Sequence, residues 1–268
     1  MALCTVVLMG SVVFSCSSSD NSDMPTTDDT TDDGSGDSTD DDGTDTTSFF
    51  RLVTERSFNS SSELTGITVY QYNSMGFVLR RTVTDVPNDI TDTYDYIYAA
   101  DQQQLLERRT NGSLTESYEY SGDRISAENS SFETTPRQEY FYDTAGNLER
   151  VDLLDGDGAL QCQFLIQYDS GNLISFENTC SDVLGTFTFD DKNSPSFQSF
   201  PLAYALVLNL SENNILTQTL ESSVLGTFVL NHDLEYNSEN FLIRMVVTDT
   251  DTGTVQSINE YEYQTLEL

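Results

Sequence analysis

The 268-residue chain predicts an all-β fold: an antiparallel meander of consecutive hairpins forming one large, strongly twisted or curled sheet, with one short helix near 199–210. Three observations predict it. An aromatic-x-Tyr doublet, or a near copy of it, recurs from Tyr70 to Tyr263, and alternation of aromatic and polar residues is the pattern of a strand with one buried face. Asp or Asn followed by Gly trails several doublets, which supplies a side-chain turn bond and a residue tolerant of positive φ. The second tyrosines fall at 72, 98, 120, 142 and 168, so each interval of about two dozen residues holds two strands and two connections.

The amino end reads differently. Residues 1–15, MALCTVVLMGSVVFS, form an apolar run too short for a permanent span, and Cys16 follows in a Val-Phe-Ser-Cys context. This resembles the lipobox of bacterial lipoproteins, which implies cleavage before Cys16, acylation of its thiol and attachment to a membrane through it. The sequence departs from that pattern in one respect, since no Lys or Arg precedes Arg51. Residues 16–47 continue with 11 Asp, no basic residue and Met24 as the one large apolar side chain, a composition that reads as a disordered acidic tether. The Asp-x-Asp-x-Asp-Gly register of calcium loops does not occur in it. The expected organisation is therefore a leader at 1–15, a tether at 16–47 and a β domain at 48–268.

Within that domain the copies run Tyr70-Gln-Tyr72 with Gly76, Tyr96-Ile-Tyr98, Tyr118-Glu-Tyr120, Tyr140-Phe-Tyr142 with Gly146 and Leu148, Ile166-Gln-Tyr168 with Gly171, Phe187-Thr-Phe189, Leu234-Glu-Tyr236 and Tyr261-Glu-Tyr263. A lone hairpin is marginal in water, so neighbouring units must pair edge to edge. About fourteen to sixteen strands are expected, more than an open sheet sustains without curling. The unit resembles the YD repeat of the RHS type, with consensus Tyr-x-Tyr-Asp-x-x-Gly-x-Leu, which Tyr140 to Leu148 matches throughout. More particularly, Thr186 to Pro195 and the segment after it are similar to YD-repeat-like surface lipoproteins of gram-negative bacteria. That resemblance implies a fold and an outer-membrane address, at the cell surface or alternatively on the periplasmic face, and no activity.

Residues 199–213, SFPLAYALVLNLSEN, break the hairpin rhythm. A Pro near the start with Leu202, Leu206 and Leu210 at near-helical spacing favours a short buried helix that plugs the curled sheet, and a continuous apolar strand is the competing reading. Cys162 and Cys180 flank the hairpin that turns at Asp169 to Asn172. Antiparallel pairing brings them level, and an exported address supplies oxidising conditions, so a cross-strand disulfide is expected.

Arg80, Arg108, Arg150 and Arg244 each stand two residues past Val78, Leu106, Leu148 and Leu242. If Tyr142 pairs with Leu148, then Tyr140 faces Arg150, and the same register sets Tyr70 against Arg80, Tyr96 against Arg108 and Leu234 against Arg244. Tyr70, Arg80, Tyr96, Arg108, Tyr140, Arg150 and Arg244 are accordingly the candidate binding face. They form either a ladder in which arginine stems cover rings, or an open platform that stacks sugars and clamps acidic groups.

Composition excludes much chemistry. There are 45 Asp and Glu against 11 Lys and Arg, a net charge of −34, and removing the 11 tether aspartates still leaves −23 on the β domain. Nucleic acid is excluded as a partner, because its binding needs a basic patch. The single histidine, His232, stands in Asn-His-Asp with no Gly-x-Ser-x-Gly elbow, and no phosphate-cradling loop or His-Glu-x-x-His occurs. No cofactor, metal site or catalytic residue is assigned. The reading is a non-enzymatic, lipid-anchored binding module for an extracellular polymer, such as a polysaccharide, or an envelope protein. The alternatives are a hydrolase with paired carboxylates, for which Asp155-Gly-Asp157-Gly158 is the most tempting cluster, and a structural scaffold.

Overall fold

A computed structural model describes residues 48–131 and 135–267, and the expected leader, the tether and Cys16 lie outside the described residues. The first strands are β1 (Ser48–Phe58), β2 (Leu64–Tyr72), β3 (Val78–Asp85), β4 (Ile90–Tyr98), β5 (Leu105–Thr110) and β6 (Ser113–Ser121). Next come β7 (Arg124–Ser130), β8 (Arg137–Tyr142), β9 (Leu148–Leu154), β10 (Leu160–Asp169), β11 (Asn172–Asn178) and β12 (Val183–Asn193). A 3-10 turn, Phe197–Ser199, and a helix, α1 (Leu202–Val207), precede β13 (Asn213–Ser222), β14 (Gly226–Tyr236), β15 (Leu242–Asp249) and β16 (Val255–Glu267).

Each strand pairs antiparallel with the next, as a meander requires, but the sheet does not stay open. Strand β1 pairs with β16, from Ser48 opposite Glu267 to Phe58 opposite Ile258, and the ring closes as a barrel of sixteen strands. A repeated defect accounts for the curvature. The β2–β3 ladder passes from Gln71 opposite Arg80 to Tyr72 opposite Val78, so Leu79 is an extra residue. The same slip leaves out Leu106, Ser126, Glu149, Ile174, Leu216 and Ile243 in the hairpins that follow, and Val53 where β1 meets β16. Every pair of strands joined at this end of the barrel therefore carries one bulge at the same level, and a bulge bends its strand and increases local twist.

The bulge also explains the second tyrosine of the repeat. An extra residue interrupts the ladder and leaves a carbonyl to be satisfied. Tyr98 Oη donates to the Val78 carbonyl at 2.7 Å, Tyr120 to Leu105 at 3.1 Å, Tyr142 to Ile125 at 2.7 Å and Tyr263 to Leu242 at 2.8 Å, while Tyr72 reaches the Leu52 carbonyl. Each acceptor is the small apolar residue that precedes a bulge in the adjoining hairpin. Tyr168 departs from the series and donates to the Leu210 carbonyl at 3.4 Å, where the helical segment intervenes. The turns form as expected: Asp143 Oδ1 accepts from the Gly146 and Asn147 amides at 2.7 and 2.9 Å. Gly146 has φ 102°, and a Cβ there would lie 2.5 Å from Arg124.

The interior of the bulged end is the core. Val78, Leu105, Ile125, Leu148 and Leu173 are almost wholly buried around α1, whose Tyr204, Ala205 and Leu206 point among them. Of the two readings of 199–213, helix is the observed one. Pro201 stands at its N-cap, and Tyr204 packs edge-on against Tyr96, Tyr118 and Phe200 with ring centres 6.1, 5.3 and 5.3 Å apart. A second cluster, Leu52, Leu242, Met245, Val247 and Tyr261, fills the side where β14–β16 meet β1.

Candidate functional site: a two-faced lumen and a charged outer wall

The tyrosines of the repeat face inward. Tyr96 is 2 % exposed, Tyr118 and Tyr140 are each 7 % exposed, and Tyr70 is half-buried and packed against both cores. One wall of the lumen, from β16 through β8, adds charge. Glu55 accepts from Tyr70 Oη at 3.1 Å, Glu116 from Tyr118 Oη at 3.0 Å, and Glu128 from Tyr140 Oη at 3.0 Å and Gln138 at 3.3 Å. Arg108 pairs with Glu116, and the guanidiniums of Arg81 and Arg108 lie 4.7 and 5.7 Å from the centre of the Tyr94 ring. Burial, followed by repulsion from Glu116, pushes Glu128 up to about 7, and burial raises Glu55 as well.

The other wall, β9 to β14, presents Leu153, Phe164, Phe176, Phe187 and Phe228 on inward register positions. Phe176 and Phe187 lie 6.0 Å apart, and Gly185 makes room for them, since a Cβ there would come within 2.3 Å of the Phe176 ring. His232 also points inward on β14 with no hydrogen-bond partner for either nitrogen, and burial lowers it to about 4.

The outer wall carries ion pairs from β3 to β9 and from β14 to β1, whereas β10 to β13 expose Leu165, Ile174, Leu184 and Leu216. Arg80 pairs with Asp95 across β3 and β4 at 2.6 Å, Arg109 with Glu107 on β5 at 2.7 Å, and Arg137 with Glu119 at 2.7 Å. Arg150 meets Asp152 on β9 at 2.9 Å, Arg244 meets Glu235 across β15 and β14 at 2.5 Å, and Arg56 meets Glu262 at 2.6 Å. Among the described residues no group of three or more His, Cys, Asp or Glu gathers as a metal site would.

The candidate binding face divides between these two surfaces. Tyr70 stands opposite Arg81, Tyr140 opposite Val151, and Leu234 opposite Met245, so three of the four expected pairings are off by one residue. The cause is the bulge, which the sequence register omits. Tyr96 does oppose Arg108, because counting from Leu106 rather than Leu105 compensated for the extra residue. Tyr70, Tyr96, Tyr140 and Arg108 are thus inside, whereas Arg80, Arg150 and Arg244 are outside, with Arg150 lying 3.8 Å over the centre of the Phe141 ring. No single face collects all seven. Cys162 and Cys180 form a disulfide with Cα atoms 5.5 Å apart. Asp155 to Gly158 form the β9–β10 turn. Sequence reasoning missed Glu55, Arg81, Glu116 and Glu128, and their signal was alternation: each sits two or four residues from an inward tyrosine or across from one.

A closed antiparallel barrel with a helix inside one end and an ion-paired exterior defines the class. Among solved structures, the chain is similar to a porin-like protein from Bacteroides uniformis ATCC 8492, with a TM-score of 0.56 and 14 % identity over 80 % of this chain and 98 % of that one. A porin-like protein from Bacteroides vulgatus ATCC 8482 (TM-score 0.34, 14 % identity, 81 % and 99 % coverage) overlaps too loosely to bear on the fold. The same is true of the Photorhabdus luminescens Tc holotoxin pore (TM-score 0.32, 15 % identity, 71 % and 9 % coverage). No family model matches the chain, and no curated protein does.

Proposed function

We propose that this chain is a non-enzymatic, lipid-anchored protein of the outer-membrane surface, of the YD-repeat-like kind, whose barrel stands in water and works by binding an extracellular polymer or another envelope protein. One observation carries the reading: ion pairs stand on the outer wall from β3 to β9 and from β14 to β1, while tyrosines and a helix fill the inside. A membrane barrel has the opposite polarity, with an apolar outer band, and each arginine at its lipid face costs about 2–4 kcal/mol at mid-bilayer. Attachment through Cys16 reconciles a water-facing barrel with an envelope address. Strand β1 starts at the helix-filled end of the barrel. The excess of acid on the outside favours a basic or cation-bridged partner.

The test is fractionation of cells carrying the full chain or its Cys16→Ala variant. The wild type is expected in the membrane fraction and releasable by lipoprotein-solubilising detergent, and the variant in the soluble fraction. A Cys16→Ala protein that stays in alkali-washed membranes, or a wild type that makes liposomes permeable to small ions, refutes the proposal.

A further inference from the structure

Among the described residues, helical structure fills the lumen at one end. At the bulged end α1 and the small apolar residues close it, whereas at the other end the described connections are short hairpin turns such as Asp155–Gly158 and Thr250–Gly253. Between α1 and that open end, two guanidiniums flank the Tyr94 ring. Arg108 has Glu116, but Arg81 makes no ion pair among the described residues, and the carboxylate nearest in influence, Glu55, is engaged by Tyr70.

Several donors on this wall are buried without an acceptor: the Nε atoms of Arg81 and Arg108, Asn259 Nδ2 at 1 % residue exposure and Tyr261 Oη at 5 %. Buried donors without partners are costly and rare, and these belong to three strands of the same wall, β3, β5 and β16. The other wall carries half-buried or exposed rings on inward register positions, Phe164, Phe176 and Phe228. A concave space with an aromatic wall and a few convergent donors is the usual form of a small-molecule site.

We propose that the open half of the lumen binds an amphipathic monocarboxylate, its carboxylate on Arg81 and Arg108 and its hydrocarbon body along Phe164, Phe176 and Phe228. The guanidinium fork matches a planar carboxylate in two-point contact. A single negative charge suffices, because Glu116 already neutralises Arg108 and burial favours the neutral forms of Glu55 and Glu128. This ligand goes beyond the polymer or protein partner proposed for the exterior, and failure of either idea leaves the other standing.

Adjacent arginines on opposite faces make the test. Arg80 points out to Asp95 and Arg81 points in to Tyr94. Calorimetric titration of the full chain with dodecanoate below its micelle concentration is expected to show one site. Arg81→Gln weakens it about tenfold or more, as loss of a charge-assisted hydrogen bond requires, and Arg80→Gln leaves it within about twofold. Dodecanol is expected to bind more weakly than dodecanoate, and acetate not to compete. Equal losses in Arg80→Gln and Arg81→Gln, dodecanol binding as tight as dodecanoate, or no saturable binding overturns the proposal. Should Arg81→Gln fail to fold, Phe228→Ser at the open end decides: weakened dodecanoate binding supports the site, and unchanged binding overturns it.

Discussion

Replacing Glu128 by Gln tests whether the lumen wall around Tyr118 and Tyr140 excludes water. Glu128 is 8 % exposed, accepts hydrogen bonds from Tyr140 and Gln138, and titrates near 7 in the fold against 4.5 for the free side chain, first because of burial and then because of Glu116. The folded state therefore holds this proton more tightly than the unfolded chain. Its stabilising contribution is complete below about 4.5 and is lost as pH rises through about 7. At about 1.4 kcal/mol per unit, the loss between pH 5 and 8.5 is about 2–3 kcal/mol. Gln retains a carbonyl to accept from Tyr140 but carries no titrating proton. In urea unfolding, the wild-type midpoint should fall between pH 5 and 8.5 by roughly 1 M more than that of Glu128→Gln, for a typical slope in a domain of this size. Carboxylates remote from Glu128 contribute equally to both proteins and cancel. Midpoints that move in parallel would mean that Glu128 is hydrated and not held dry against Tyr140 and Gln138.

Two further expectations follow from the fold. Replacing Cys162 and Cys180 together by Ser frees a loop of sequence separation 18 and should lower stability by about 3 kcal/mol, checked by urea unfolding against the oxidised wild type. At the β10–β11 bulge, Ile174→Thr should change stability by less than about 1 kcal/mol because the side chain is 37 % exposed. Deleting Ile174 instead leaves Tyr168 opposite Leu173 and Gln167 opposite Ser175 with no extra residue between them, so the ladder becomes regular and the local bend is lost; the urea midpoint should fall clearly further than in Ile174→Thr. A deletion variant as stable as Ile174→Thr would show that the bulge is dispensable.

Much of this architecture was legible in the chain because hairpins are local. The doublets at Tyr70–Tyr72 and Tyr140–Tyr142 place strands, and Asp143 and Gly146 place a turn, through contacts a few residues apart. The length of the meander, the helix after Pro201 and the proximity of Cys162 to Cys180 follow from the same short-range order. The candidate face was less legible. Its residues were chosen by counting across turns, and one extra residue, Glu149 in the β8–β9 hairpin, moves Arg150 from Tyr140 to Phe141 and so from the inside of the barrel to the outside.

By itself, then, the sequence determined the strands, their order, the acidic surface and the expectation of an acylated Cys16. Tertiary structure decided three things: that β1 closes on β16, that the tyrosine face is the interior, and that Glu55, Arg81, Glu116 and Glu128 come together there. The physical reason is that a bulge is a property of two paired strands, and closure a property of all sixteen. Neither exists until Tyr98 and its counterparts donate to carbonyls in the adjoining hairpin, some twenty residues away.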